Sequence, residues 1–144
     1  MKATFRYPFS AAHRLHSDQL SEDDNWRVYG RCNNPFGHGH NYTVEVTVSG
    51  EPNAETGMVV DRNQLDTMVK EEILSRVEHT NLNVQVAEMK DLVPTTENVA
   101  YVFAEWLRRG WPRHFSSQDV KLDRIRIYET RNNRFEIEAH EVKQ

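Results

Sequence analysis

The chain has 144 residues, 38% of them hydrophobic, which is enough for one globular domain with a real core. Its 22 acidic and 18 basic residues are well mixed and leave a formal charge of −4, so nothing points to nucleic acid or a membrane surface as a partner. No stretch is apolar for long enough to span a bilayer, and the N-terminal MKATFRYPFSAAH lacks the apolar region of a secretion signal, so a cytoplasmic protein is expected.

Residues 2–12 alternate, with Ala3, Phe5, Tyr7 and Phe9 on one side, and predict a first strand leading to His13. Residues 14–36 read as a long polar loop containing SDQLSEDDNWR, a mobile segment able to cover a site. The only cysteine, Cys32, lies in this loop. A single cysteine excludes an internal disulfide and a zinc ribbon and suits a reducing compartment. A free cysteine is often just a small buried hydrophobe. RCNNP, however, is polar and turn-forming, with Arg31 alongside, and a thiol there beside a metal loses its proton more easily, so Cys32 reads as a nucleophile or base.

His38 and His40 open the run HGHNYTVEVTVSG, which predicts a strand over 38–49. Side chains at i and i+2 share a face, so the two imidazoles extend the row Tyr42, Val44, Val46 and Val48, while Thr43, Glu45 and Thr47 fall on the other side. Gly37 and Gly39 suggest close backbone approach at the strand entrance. Two imidazoles on rigid backbone and a third from elsewhere make the three-nitrogen set that leaves zinc one open position. His13 is the natural third ligand, and His16 competes for the role.

The turn GEPNAETG leads to a short extended piece at Met58–Val60, and Asp61 can cap a helix over 62–77 whose apolar face is Leu65, Met68, Val69, Ile73 and Val77. EHTNLN ends it, with His79 after Glu78 where a helix C-terminus favours a histidine. A second helix opens at PTTEN, capped by Thr95 or Thr96, carries the stripe Val99, Val102, Phe103, Trp106 and Leu107, and stops near Gly110 and Pro112. Strands at 120–129 and 134–140 follow, joined by TRNN. Glu129 shares the face of Ile125 and Ile127, and an acid there suits a ligand with two adjacent N–H donors. The order β, β, α, α, β, β predicts a single α+β domain over 1–144, an antiparallel four-stranded sheet with two helices on one face.

The segments FSAAHRL, CNNPFGHGHNY, EHTNLN, PTTENVA and YET, in this order across nearly the whole chain, resemble the 6-pyruvoyl-tetrahydropterin synthase family. The resemblance implies the tunnelling fold and a homohexamer of two stacked trimers, in which sheets close into an oligomeric barrel with active sites at subunit boundaries. It implies Zn2+ bound by His13, His38 and His40, with His16 set aside. Cys32 matches the catalytic thiol, Glu78 and His79 a second catalytic pair supplied by another subunit, Glu129 the carboxylate that grips the pterin, and Thr95 and Thr96 residues that seat its ring. The implied substrate is 7,8-dihydroneopterin triphosphate, for whose phosphates Arg14, Arg27, Arg31 and Arg131 are candidate partners.

One departure is visible, since Glu78 stands where the family usually has aspartate. Within the fold the competing activity is 6-carboxytetrahydropterin synthase of queuosine biosynthesis, against which stands the gap of five residues between Cys32 and His38. A non-catalytic pterin-binding zinc protein is the reading from another class, and the presence of Cys32, His79 and Glu129 together argues against it. A general zinc hydrolase is weaker still, because no glutamate stands in the HExxH relation to the histidines.

Overall fold

The computed structural model describes residues 1–117 and 119–142. The first strand, β1 (Lys2–His13), is followed by helix α1 (Glu22–Tyr29) and a 3₁₀ turn at Gly30–Asn33 before β2 (His38–Ser49). Helix α2 (Arg62–Val69), a π-turn at Lys70–Leu74 and the last turn α3 (Ser75–Val77) form one helical segment. A two-residue strand β3 (Thr80–Asn81), the short helix α4 (Leu82–Gln85) and the long helix α5 (Thr96–His114) lead to the hairpin of β4 (Lys121–Thr130) and β5 (Asn133–Glu138).

The four expected strands pair antiparallel, but the sheet is five-stranded and mixed, in the order β3-β1-β2-β4-β5. The addition is β3, parallel to β1 with Ala11 opposite Thr80 and Ala12 opposite Asn81. Two residues are too few to show a period, so EHTNLN reads in sequence only as a helix end. On the other side of β1 the pairing with β2 is complete, from Lys2 opposite Ser49 to His13 opposite His38.

Alternation makes the two faces of this sheet chemically different. Tyr7, Phe9, Tyr42, Val44, Val46, Ile125 and Ile127 are buried against Leu65, Met68, Val69, Ile73 and Val77 of the first helical segment and Val99, Phe103, Trp106 and Leu107 of α5. Both long helices therefore cover one face, as the sequence predicts. The opposite face carries a cross-strand row of alternating charge, Arg6, Glu45, Arg126 and Glu136. Glu45 is only 7% exposed and lies 3.6 Å from the Arg6 guanidinium. Such directly opposed charges support the register.

Three local expectations change. The polar loop 14–36 contains α1, whose Ser21 hydroxyl accepts from the Asp24 backbone N–H and whose first turn holds Glu22, Asp23 and Asp24 against the positive helix end. Helix α5 runs on to His114, through Gly110 and Pro112. Proline there removes a backbone donor only in the final turns, while Arg113 and His114 hydrogen-bond the buried Glu72 carboxylate and hold the helix end down. Gly110 makes room for this arrangement, since a Cβ there would lie 2.6 Å from Glu72 Cδ. The short extended piece expected at Met58–Val60 bends at Val59 and Val60, and Met58 O accepts from the Asn53 N–H and closes the preceding turn on itself.

The fully buried Asn25 folds the loop before α1 around its amide: Oδ1 accepts from the Ser17 N–H, and Nδ2 donates to the carbonyls of Ser17, Leu20 and Ser21. Truncation removes all four of these hydrogen bonds, so Asn25→Ala should lower unfolding free energy by about 2–4 kcal/mol. Urea unfolding measures it; a change below about 0.5 kcal/mol, the size of an ordinary surface substitution, would show that the loop is held by other means.

Candidate metal centre

The pairing of β1 with β2 sets the site. His13 and His38 lie opposite one another at the end of the ladder, and His40 is one same-face position further along β2. The rings crowd together, with centroids 5.4 Å apart for His13 and His38, 4.9 Å for His13 and His40, and 4.4 Å for His38 and His40. Cys32 joins them from the 3₁₀ turn, its Sγ 3.6 Å from His38 Nε2. One ligand atom from each of the four residues lies within 4.8 Å of all the others. Gly37 permits the tight turn between Cys32 and His38: its φ is +68°, and a Cβ there would stand 2.8 Å from the His13 carbonyl oxygen.

The proton inventory of the cluster points to a cation. His13 is fully buried, and its Nδ1–H donates to the Pro94 carbonyl at 2.9 Å, because a carbonyl can only accept. Its Nε2 is left as a bare lone pair. Among the described residues neither His13 Nε2 nor His40 Nε2 has a hydrogen-bond partner, though both are buried. A carboxylate oxygen of Glu129 stands 3.4 Å from His40 Nε2 and 3.7 Å from His13 Nε2. Lone pairs facing one another in a buried site are unfavourable without a shared positive charge. Three imidazoles suit zinc, and the donor set fits it.

Burial holds the His13 and His40 pKa values below the ordinary histidine range. For His13 the neighbouring His40 and His38 push the same way, while the Pro94 carbonyl and Glu129 oppose. Neutral imidazole is the ligating form. Burial, and then the Glu129 charge, pushes the Cys32 thiol up. The sequence predicts easier ionisation at Cys32; the protein groups around it do the reverse, so a nearby cation would have to supply that effect.

His16 is excluded from the cluster. Its Nδ1 accepts from Asn33 Nδ2 at 3.0 Å, and its Nε2 lies 3.4 Å from Asp18. Asn33 also donates to the Leu15 carbonyl, and the Leu15 N–H donates to the Cys32 carbonyl at 2.7 Å, so this buried amide fixes the thiol's backbone. Glu129 sits at a register shift between β4 and β5, where a bulge can aim a side chain, and Asn133 Nδ2 donates to its second oxygen. Thr95 is the helix cap, accepting from the Asn98 N–H, and Thr96 is the first helical residue, with a buried hydroxyl that has no partner among the described residues.

Glu78 and His79 pair with each other at 3.2 Å, but His79 is mostly exposed and makes no hydrogen bond or ion pair with the cluster. Its φ of 57° is the only positive value among the described non-glycine residues, held by an N–H donated to the Ser10 carbonyl at 2.7 Å. Among the arginines, Arg14 donates from Nε to the Asn33 carbonyl and Arg27 is paired with Asp24, whereas Arg31 and Arg131 are exposed.

Residues 2–140 match the family model described as 6-pyruvoyl tetrahydropterin synthase. The chain belongs to the 6-pyruvoyl tetrahydropterin synthase family. It is 43% identical to the human 6-pyruvoyl tetrahydrobiopterin synthase over 128 residues, covering 89% of this chain and 84% of that one. A solved structure of the Caenorhabditis elegans 6-pyruvoyl tetrahydropterin synthase superposes with a TM-score of 0.84 at 38% identity, covering 96% of this chain and 94% of that one. A putative 6-carboxy-5,6,7,8-tetrahydropterin synthase of Archaeoglobus fulgidus is more distant, 34% identical over 101 residues, or 69% of this chain and 74% of that one. The activity of this 6-pyruvoyl tetrahydropterin synthase family member is that of a lyase that eliminates phosphate, in pterin biosynthesis. No helix of the described structure is long and apolar enough to cross a membrane.

Sequence reading misses the supports of the cluster: Asn33 under the thiol, and Pro94 with Tyr42 behind His13. Asn33 looks like one more turn residue, and a backbone carbonyl leaves no side-chain signature. The lowered histidine pKa values carry a sign. Between the folded values and the unfolded value of about 6.5 the unfolded chain binds more protons, so stability is complete above that value and falls as pH drops through the window. Glu72 and Glu136, whose pKa values are lowered, act only below the ordinary carboxylate range. Metal-free protein should therefore lose stability as pH falls below about 6.5, with a shallower slope in His40→Gln. Thermal melts across that range test it, and a flat wild-type profile would contradict the burial of uncharged imidazoles.

Proposed function

We propose that the chain converts 7,8-dihydroneopterin triphosphate into 6-pyruvoyl-tetrahydropterin and triphosphate at a zinc centre held by His13, His38 and His40. The observation that carries this reading is the pair of buried Nε2 atoms, unpartnered among the described residues, beside the Cys32 thiol. Bound there, zinc would act as a Lewis acid on the substrate's side-chain hydroxyls and acidify the adjacent C–H and O–H groups. The reaction is internally balanced: the side chain is oxidised as the ring is reduced, and triphosphate leaves, so no external redox cofactor is needed.

Cys32 takes and returns a side-chain proton in this proposal, and His79, oriented by Glu78, serves as acid or base from the opposite side. The longer glutamate still reaches the ring, at 3.2 Å. Glu129 accepts hydrogen bonds from the pterin amino and ring N–H groups, and Thr95 and Thr96 seat the ring; the unpartnered Thr96 hydroxyl supports that placement. Arg31 and Arg131 suit the triphosphate better than Arg14 and Arg27, whose guanidinium groups already have partners within the chain.

The proposal extends to a homohexamer of two trimers whose sheets close into a barrel. Three features support it. The outer edge of β1 before Ala11 and that of β5 are open, and barrel closure removes such edges. Trp26, Val28 and Phe36 are exposed, Phe36 by 94%. His79 is mostly exposed and makes no hydrogen bond or ion pair with its own chain's cluster, as a residue serving a neighbour's site would. A cytoplasmic setting keeps Cys32 reduced.

Product analysis by chromatography and mass spectrometry, with zinc-loaded protein and 7,8-dihydroneopterin triphosphate, tests the reaction. A pyruvoyl-pterin with released triphosphate is expected, and Cys32→Ala should slow it by at least about 100-fold. A 6-carboxypterin with acetaldehyde would instead support the carboxy enzyme. Bound zinc and pterin with no turnover would overturn both enzyme readings in favour of a binding protein.

A further inference from the structure

We propose that Asn83 is a positioning residue for the Cys32 thiol, acting through the backbone of Arg14 and Leu15. The inference rests on the catalytic reading of Cys32 above and adds to it a residue outside the cluster. The Asn83 amide grips Arg14 twice: Oδ1 accepts from the Arg14 N–H at 2.8 Å, and Nδ2 donates to the Arg14 carbonyl at 2.9 Å. The two backbone groups dictate the amide's orientation, because an N–H can only donate and a carbonyl only accept. One side chain thus imitates a neighbouring strand at the residue where β1 leaves the sheet. The parallel pairing of β1 with β3 ends at Ala12 opposite Asn81, and the Asn83 amide takes over two residues further on.

Asn83 is itself well anchored. The Asn81 side chain accepts from its N–H at 3.0 Å, and Leu82 before it is fully buried in the core. From the clamped segment three bonds reach the thiol's turn. Arg14 Nε donates to the Asn33 carbonyl at 3.1 Å, the Leu15 N–H to the Cys32 carbonyl at 2.7 Å, and Asn33 Nδ2 to the Leu15 carbonyl at 2.8 Å. The histidines are held differently. His13 is paired opposite His38 in the ladder and bonded to the Pro94 carbonyl, and His40 lies within the same ladder. Loss of the clamp therefore frees Arg14, Leu15 and the turn that docks on them, while the three imidazoles keep their places on the sheet. The thiol's placement should suffer and metal binding should not.

Asn83→Ala removes both bonds. In metal-free protein the Leu15 amide should exchange its hydrogen at least about fivefold faster by NMR, with Val44 on β2 within about twofold of the parent. Zinc affinity, measured by chelator competition, should stay within about twofold, while kcat for the proposed reaction falls about tenfold at unchanged KM. Asn83→Asp keeps the acceptor for the Arg14 N–H, and its Leu15 exchange should fall between those of the parent and Asn83→Ala. Unchanged Leu15 protection in Asn83→Ala overturns the proposal, as does equal acceleration at Leu15 and Val44, which a purely structural role would produce. A freed Leu15 amide with the parent's kcat would show that the thiol is placed without the clamp and overturns it too. So does a loss of zinc affinity of about tenfold, which would put the clamp on the ligands instead. If the wild type does not turn over, the catalytic reading fails, while exchange at Leu15, whose N–H bonds the Cys32 carbonyl, still decides the role of Asn83.

Discussion

Lone pairs forced together at the open end of the β1–β2 ladder are the constraint on which the rest depends. The register that places His13 opposite His38, with His40 on the same face, is the register that buries Tyr7, Phe9, Tyr42 and Val44 in the core. A slip of one residue would turn both rows over. The energy that fixes the core therefore also fixes the imidazoles, and the protein can hold three of them near a carboxylate although that arrangement disfavours itself without a cation. Preorganisation is thus supplied by folding, ahead of any ligand.

The same sheet separates two tasks. Its helix-covered face carries stability, and the histidines are the last members of that apolar row. Its other face carries the ladder Arg6, Glu45, Arg126 and Glu136, already partly buried in a single chain. The proposed closure of open edges into a barrel would enclose this charged face and bring His79 of one chain toward the cluster of another. The positive φ of His79 fits that picture, since an unusual backbone held by a strand hydrogen bond can present a side chain outward.

The parts of the molecule with a strong period were legible in the sequence. Alternation located β1, β2 and the β4–β5 hairpin, and helical spacing located the apolar faces of α2 and α5. The metal cluster was legible because its residues extend those same rows. What escaped had no period or was too short to show one. The strand β3 is two residues long. Helix α1 is mostly polar, and its usable signal was Ser21 followed by three acids, a capping pattern rather than an apolar stripe. The extension of α5 past Pro112 depends on Glu72, 41 residues away from Arg113, which local reading cannot see. The anchoring of His13 through Pro94 is likewise a contact of 81 residues' separation, made by a backbone atom. Family resemblance, not periodicity, selected His13 over His16, and the hydrogen bond from Asn33 and the contact with the Asp18 carboxylate give the physical reason.

X-ray absorption at the zinc edge of the zinc-loaded protein tests the central claim most directly, because it separates nitrogen from sulfur ligands. The account predicts three imidazole nitrogens at about 2.0–2.1 Å, a light atom in the remaining position and no sulfur, which leaves Cys32 free for proton transfer. A sulfur at about 2.3 Å would mean that the thiol closes the site as a fourth ligand, contradicting both the open position and the chemical role of Cys32.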